Sequence, residues 1–531
     1  MSFNNLCKVR IAFLVMFLGL TAPNALAQTI TVKGVVTDAT YNEPVIGATV
    51  VLVEDTSKGM LTSLDGEFTL TGVPKNGTIR VSYVGYKTIE VPINGQTTLN
   101  IVIQEDNELL DEVVVTALGI KRSEKALSYN VQELKGDALN KLADANFVNN
   151  LNGKVAGVTI NSSSAGMGSA SKVVMRGTKS IDGNNNALYV IDGVPIFSTT
   201  TKQGSGQFDS NGSTEGAADI NPNDIESISV LTGASAAALY GSAAANGAIL
   251  ITTKKGASGK PRVTFSTNND WGVPMWLPEF QYRYGSDGKQ TSWGSPIGDQ
   301  YDGLYRISDF LQTAFNTNNS VSVSGGSDRN QTYLSVSTTN SWGLVPNNRY
   351  ERYNFTARNT SSLLEDRLSI DLSTSYIIQK HNNMVNQGEY MNPLASAYLM
   401  PRSEHTDNVK NFEQFDADRN IYVQNWRYGA GEYTLQNPFW VAYRNLRHSK
   451  RERYMLSATV AYDLMKWNEA EKWNIQGRVR SDVTNGLATD SRYATTEKIN
   501  VESAKNGYYG EEKSTDRQTY ADVLSTFAES R

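Results

Sequence analysis

Cysteine is almost absent, with Cys7 the single one in 531 residues. It lies inside an N-terminal stretch that reads as a removable leader, too early to be a lipid-anchored first residue. The processed chain therefore has no disulfide, no thiolate metal site and no cysteine nucleophile. Charge is also sparse, at 19% against about 25% in average soluble domains. A net charge of −5 and a pI near 5.5 leave no basic footprint for nucleic acid. No segment beyond the leader approaches 18 consecutive apolar residues, so any membrane span must be built from strands.

The residues that fill the gap are glycine (43), tyrosine (26) and many Asn, Ser and Thr, a mixture that favours strands and turns over helices. Lys8 and Arg10 precede an apolar run over 11–20, and Ala25-Leu26-Ala27 offers a small-x-small cleavage pattern before Gln28. Residues 1–27 read as a secretory signal peptide cleaved between Ala27 and Gln28. Its removal takes two positive charges and no acid, moving the net charge from −5 to −7.

Residues 28–104 hold short strand-like runs near 30–37, 48–53, 67–70, 78–83, 86–91 and 98–103, broken by Gly, Pro and Asn-Gly turns. That spacing predicts a small β-sandwich. It has no histidine, and its acids lie mostly at turns, as expected of a binding or spacer module. Residues 105–122 form an acidic linker running into Glu112, Val113, Val114, Val115 and Thr116. This extended, β-prone segment is either an ordinary strand or a strand offered to a partner's sheet edge. Residues 123–256 predict an α+β domain, with helices over 131–142, 146–151 and 234–240 and strands over 155–160, 172–176, 187–191, 225–231 and 248–253.

From 257 to 531 the pattern turns to long strands of period two. Leu368, Ile370, Leu372, Thr374, Tyr376 and Ile378 share one face; Ser369, Asp371, Ser373 and Ser375 share the other. Tyr454, Leu456, Ala458, Val460, Tyr462 and Leu464 repeat it, and Trp473, Ile475 and Val479 oppose Arg478 and Arg480. Eight strands are expected near 263–270, 319–326, 331–340, 351–360, 368–379, 453–464, 473–482 and 516–527. Short links alternate with longer ones, and several strands have the length of a tilted membrane strand, with aromatics such as Tyr353, Tyr454 and Trp473 near their ends. The fold class is mainly β: a sandwich, an α+β domain, then an antiparallel transmembrane barrel.

Catalytic signatures fail. Gly233-Ala234-Ser235-Ala236-Ala237 lacks the final glycine of a nucleophile elbow. His381, His405 and His448 fall in one predicted loop at no common metal-ligand spacing. Gly166-Met167-Gly168 and Gly204-Ser205-Gly206 complete no phosphate loop, and Asp182-Gly183 and Asp192-Gly193 read as turns. No enzyme activity, metal or cofactor is expected.

The order of leader, sandwich, Glu112-Val113-Val114-Val115-Thr116, α+β domain and long strands resembles the SusC/RagA family of TonB-dependent outer-membrane transporters. Further motifs carry the resemblance: Met175-Arg176-Gly177, Tyr189-Val190-Ile191-Asp192-Gly193-Val194-Pro195, the Leu231-Thr232-Gly233 to Leu239-Tyr240-Gly241 stretch, and Ala245-Asn246-Gly247. The sandwich resembles a carboxypeptidase regulatory-like domain, which lends no peptidase activity.

The resemblance implies that residues 123–256 are a plug filling the barrel. It also implies that Glu112, Val113, Val114, Val115 and Thr116 are the TonB box, through which the inner-membrane proton gradient is transmitted. Arg176, Gly177, Asp192, Gly193, Gly233, Tyr240, Gly241 and Gly247 are then plug-motif residues, the glycines serving tight turns and Arg176 serving structure ahead of ligand. The implied partners are TonB, a SusD-like surface lipoprotein, outer-membrane lipid and a large nutrient, an oligosaccharide ahead of a peptide. Trp271, Trp276 and Trp342 are candidate loop aromatics, for membrane anchoring ahead of sugar stacking. The implied location is the outer membrane, with the N-terminal domain periplasmic and the long loops outside. A non-transporting receptor or adhesin is the alternative.

Eight strands average roughly 34 residues each, so a 22-stranded plugged barrel needs on the order of 740 residues. Eight strands alone enclose too little volume for a plug. The chain is expected to be the N-terminal portion of a transporter of about 1,000 residues, by itself unable to transport.

Overall fold

The computed structural model describes residues 29–39, 43–83, 86–104, 113–115, 121–123, 131–139, 144–181, 185–196, 212, 214, 216–287, 292–299, 302–388, 391–426, 436–466, 472–496 and 506–528. The leader with its Ala27/Gln28 cleavage pair, Glu112, Thr116, Asp182-Gly183 and Gly204-Ser205-Gly206 lie outside the described residues. Among the described residues no helix is long and apolar enough to cross a membrane. Two compact units divide the chain, residues 1–112 and 113–531.

The first unit has seven strands: β1 (Thr29–Asp38), β2 (Thr49–Leu52), β3 (Asp55–Leu61), β4 (Glu67–Pro74), β5 (Thr78–Ser82), β6 (Ile89–Pro92) and β7 (Thr98–Ile103). They form a three-stranded sheet β4-β1-β7 and a four-stranded sheet β3-β2-β5-β6. Alternate residues of both sheets, among them Val32, Val36, Phe68, Leu70 and Ile101 against Val50, Leu52, Ile79 and Val81, bury one common core. The parallel β1–β7 pairing needs a glycine, because a Cβ on Gly34 would stand 1.7 Å from the Leu99 carbonyl oxygen. Strand β3 was not foreseen, since its Asp-Thr-Ser-Lys-Gly opening carries little β-propensity; its pairing with β2 supplies the stability.

The second unit opens with a hairpin of β8 (Val113–Val115) and β9 (Lys121–Ser123). Next come β10 (Val131–Lys135), β11 (Val158–Asn161), β12 (Lys172–Met175), β13 (Leu188–Ile191), β14 (Val194–Ile196), β15 (Ile225–Leu231) and β16 (Ala248–Thr253). They build a five-stranded sheet, β10-β15-β16-β13-β14, beside a β11-β12 hairpin. The helix expected over 131–142 is a correction: Val131–Lys135 pairs antiparallel with β15, and among the described residues of that span the helix is Gly136–Leu139. Edge pairing overrode helical propensity there. Phe147–Leu151 is a 3₁₀ turn and Ala234–Tyr240 an α-helix.

Eight long strands follow: β17 (Gly259–Gly272), β18 (Ala314–Gly326), β19 (Asn330–Trp342), β20 (Arg349–Leu363) and β21 (Leu368–Asn382), then, after a small β22 (Glu413–Asp416) and β23 (Ile421–Gln424) hairpin, β24 (Asn445–Lys466), β25 (Lys472–Arg492) and β26 (Tyr508–Ala528). Each of the eight pairs antiparallel with its neighbour in chain order, and the sheet does not close on itself. Tight turns at 327–329 and 364–367 mark one rim; the connections from β17 to β18, β19 to β20, β21 to β24 and β25 to β26 leave from the other.

This sheet inverts the pattern of a soluble one. Val321, Val336, Phe355 and Tyr454, aligned in register with Tyr376, lie on the outer face, and all four are exposed. The stacks Phe355–Tyr376 (6.3 Å) and Tyr376–Tyr454 (4.6 Å) run along this row. The inner face buries Ser337, Asn354, Arg358 and Arg453 instead. On β24 the apolar outer run from Tyr454 to Leu464 spans roughly 25 Å of height at barrel tilt, the thickness of a lipid-facing band.

The strands run beyond their expected ends, and this moves several residues. His381 and His448 lie on β21 and β24 rather than in a loop; only His405 lies in the 383–444 link. Trp271 and Trp342 likewise lie on strands, both packed on Phe315 with ring centroids 5.2 and 5.6 Å away. The long links have a core of their own, with Tyr305, Phe310, Val385, Met400 and Phe439 buried.

Candidate functional site

The 131–253 domain meets the strand wall through its turns. Gly216–Asp219 and Pro222–Asp224 are 3₁₀ turns leading into β15, the second capped by the Asn221 side chain accepting from the Asn223 N–H at 3.1 Å. Proline at the first helical position fixes that turn. Both turns are short of hydrogen-bond partners of their own, and the wall supplies them.

Arg453 Nη1 donates to Asp219 Oδ2 (2.8 Å) and to the Gly216 carbonyl (2.5 Å), while its Nε and Nη2 hold Asp482 at 2.9 and 2.5 Å. Arg451 approaches the same Asp219 oxygen at 3.3 Å, Gln379 donates to Asp219 Oδ1 (2.5 Å), and Asn354 donates to the Asp219 carbonyl (2.6 Å). Arg352, fully buried, donates to the carbonyls of Ala145 and Ala218. Asp224 accepts from Tyr333 Oη (2.9 Å), Ser335 Oγ (2.7 Å) and Asn221 Nδ2 (3.0 Å). Burial pushes its carboxyl above the usual range, the hydrogen bonds opposing only in part.

A second seat forms around Asp192. Its carboxylate accepts from the Thr253 N–H (2.9 Å) and Oγ1 (2.7 Å), tying β13 to β16. Arg358 reaches from β20 to Thr253 Oγ1 (2.6 Å) and Asp192 (3.5 Å), and clamps Asp371 in a fork at 2.8 and 2.7 Å. A cavity of about 40 Å³ remains between the two seats, lined by Asp192, Asp224, Lys254, Asn354 and Arg480. It has room for a few waters beside polar partners.

The expected motif residues are scattered through this domain. Gly177, Gly193, Gly233, Gly241 and Gly247 all have φ between 58° and 107°. Arg176 is exposed, with φ 55°. Tyr240 packs partly buried against the Leu188/Val190/Leu231 cluster. Of the named residues only Asp192 joins the seat. The sequence assigned no individual role to Asp219, Asp224, Arg352, Arg358, Gln379 and Arg453, although Asp224 lies in the family-like stretch Ile220-Asn221-Pro222-Asn223-Asp224-Ile225. Their signal was arginine at inner-face positions of the wall strands, a costly placement unless a partner waits opposite.

The Val113–Val115 strand pairs with Lys121–Ser123 and with no other strand among the described residues. One edge of its backbone is open, and an isolated two-stranded hairpin is marginally stable.

An apolar-outside strand wall filled by a domain held on its polar inner face is the plan of a plugged outer-membrane barrel. Comparison with known proteins agrees: residues 123–248 match the TonB-dependent Receptor Plug Domain, and residues 32–115 match the CarboxypepD_reg-like domain. The TonB-dependent receptor SusC of Bacteroides thetaiotaomicron is 32% identical over 78% of this chain and 41% of its own length. TonB-dependent receptor P26 of Formosa agariphila is 27% identical over 86% of this chain and 43% of its own. The RagAB peptide importer in its open-open state shares the fold at a TM-score of 0.59 and 20% identity, covering 78% of this chain and 46% of that one. The chain belongs to the SusC/RagA family of TonB-dependent receptors, and it spans less than half the length of these relatives.

Proposed function

We propose that the protein containing this chain imports a large nutrient across the outer membrane, driven by TonB. In this reading residues 112–116 are the TonB box, and a SusD-like lipoprotein presents substrate at the long-loop rim, with the N-terminal sandwich in the periplasm. The observation that carries it is the pairing of a polar plug seat with a strand, Val113–Val115, whose outer edge is open for β-augmentation. A pull on that strand acts through backbone hydrogen bonds and needs no ATP outside the inner membrane.

Oligosaccharide is the favoured cargo. Trp276 and Trp293, in the 273–313 link, are each about three-quarters exposed, and Trp293 pairs with Tyr284 at 5.9 Å; flat open rings suit sugar faces. Peptide is the second reading, favoured by the shared fold of the RagAB peptide importer.

Deleting residues 112–116 from the full-length receptor tests import. Growth on the cognate glycan should be lost while the barrel still assembles, and growth that survives the deletion overturns TonB-driven import. Growth on defined peptides but on no glycan moves the cargo to the second reading.

A further inference from the structure

Two plug segments far apart in sequence converge on one buried ring. Tyr350 of β20 is 1% exposed. A Cβ on Gly168, whose φ is 72°, would stand 2.6 Å from this ring. On its other side Gln379 Nε2 donates both to Tyr350 Oη (3.2 Å) and to Asp219 Oδ1 (2.5 Å).

The Gly168 side is tied to the long-loop rim. Val385 N–H donates to the Ala165 carbonyl (2.9 Å), and Met167 N–H donates to Asn348 Oδ1 (3.4 Å). Asn348 in turn donates to the Asn383 carbonyl (3.0 Å). The Asp219 side leads the opposite way. Asp219 closes the first of the two turns that lead into β15, β15 pairs with β10, and β10 follows the Val113–Val115 hairpin in the chain. His381 packs against Tyr350 with ring centroids 4.6 Å apart and the rings tilted by 47°, yet neither ring nitrogen has a hydrogen-bond partner. The ring can therefore shift against His381 without breaking a bond.

We infer that Tyr350 is a positioning residue that locks the resting plug, with the 166–168 loop as its input and the Asp219 turn as its output. Moving the 343–348 and 383–388 segments displaces the 165–168 loop, which bears on Tyr350 and loosens the Gln379–Asp219 contact. Gly166 and Gly168, which complete no phosphate loop, are then explained: they let the plug backbone press directly on Asn348 and on the Tyr350 ring. This deepens the import reading and rests on it.

The test uses the full-length receptor with Val114→Cys as its sole cysteine, in outer membranes lacking TonB, and follows the rate of maleimide labelling at position 114. Gly168→Ala should raise that rate severalfold with no nutrient present. Gly153→Ala is the control, because Gly153 has φ 73° and nothing within 4 Å of an added Cβ; it carries the backbone strain without the push on a ring. Tyr350→Phe, which removes only the hydroxyl, should give a smaller rise. Labelling of Gly168→Ala at the parent rate, or an equal rise in Gly153→Ala, overturns the inference. Should Gly168→Ala fail to assemble, Tyr350→Phe decides: a rise supports the lock and an unchanged rate overturns it. If the thiol introduced by Val114→Cys responds in this way but never cross-links to TonB when TonB is restored, the import reading fails and the lock stands.

Discussion

Arg453 Nη1 stands 2.8 Å from Asp219 Oδ2, with the two side chains 5% and 1% exposed. The plug therefore rests on a buried ion pair that spans two parts of the fold. Removing one partner of such a pair strands a charge and costs about 3–5 kcal/mol. Arg453→Ala uncovers Asp219 and Asp482 together, whereas Asp219→Asn leaves Arg453 still forked on Asp482. Arg453→Ala should therefore cost about 3–5 kcal/mol and Asp219→Asn roughly 1–3. Denaturant unfolding of the full-length receptor measures both, and equal losses would show that Asp482 plays no part.

Asp224 gives the seat a pH dependence of unusual sign. Burial raises its carboxyl above the ordinary value, so the folded plug binds a proton more readily than the unfolded chain. Stability must then rise as pH falls through the folded pKa toward the ordinary carboxylate value, and must be lower at neutral pH. Thermal unfolding between neutral pH and pH 4 should show this gain in the unaltered protein, and Asp224→Asn should reduce it, the remainder coming from Asp144, whose carboxyl burial also raises. A stability that falls throughout that window, equally in both proteins, counts against the assignment.

The outer face of β24 can be tested by depth. Val460, 44% exposed, lies near the middle of the apolar run and Leu464 at its edge. Facing lipid, Val460→Arg should cost about 2–4 kcal/mol and Leu464→Arg about 0–1. Facing water, an exposed substitution would cost within about 0.5 kcal/mol at either position. Folding yields of the full-length variants into lipid vesicles separate the cases.

All eight wall strands were legible because a membrane strand must alternate along its whole length, and nothing else in the chain alternates for so long. Their ends were less so. Asn445 to Arg453 carries arginine and lysine, which look like loop until β21 and β25 are seen to pair along them. The misread 131–142 segment shows the same limit, since a strand paired at a sheet edge leaves little periodic trace. The plug motifs could be found by resemblance, yet the seat could not. Asp219 sits beside Ala217 and Ala218 in an ordinary turn, and its partners Arg451 and Arg453 lie more than 230 positions away. Only the folded register brings them together.

Asp192 is a motif residue whose side chain pairs with Arg358 of the wall, and its two roles can be separated. It holds Thr253 through two hydrogen bonds inside the plug, and it faces Arg358 at 3.5 Å across the interface. Asp192→Asn keeps an oxygen for Thr253 while removing the charge, so a loss below about 1 kcal/mol is expected, given that Arg358 keeps its fork on Asp371. Asp192→Ala removes the acceptors as well and leaves the Thr253 N–H and O–H donors without their acceptor, at about 1–3 kcal/mol for each group that stays buried. Arg358→Lys should fall between these, because an ammonium cannot reproduce the fork on Asp371. Hydrogen exchange at the Thr253 amide supplies the independent readout: Asp192→Ala should speed it and Arg358→Lys should not. Equal exchange in both variants would mean that the interface, rather than the Asp192–Thr253 tie, holds β13 and β16 together.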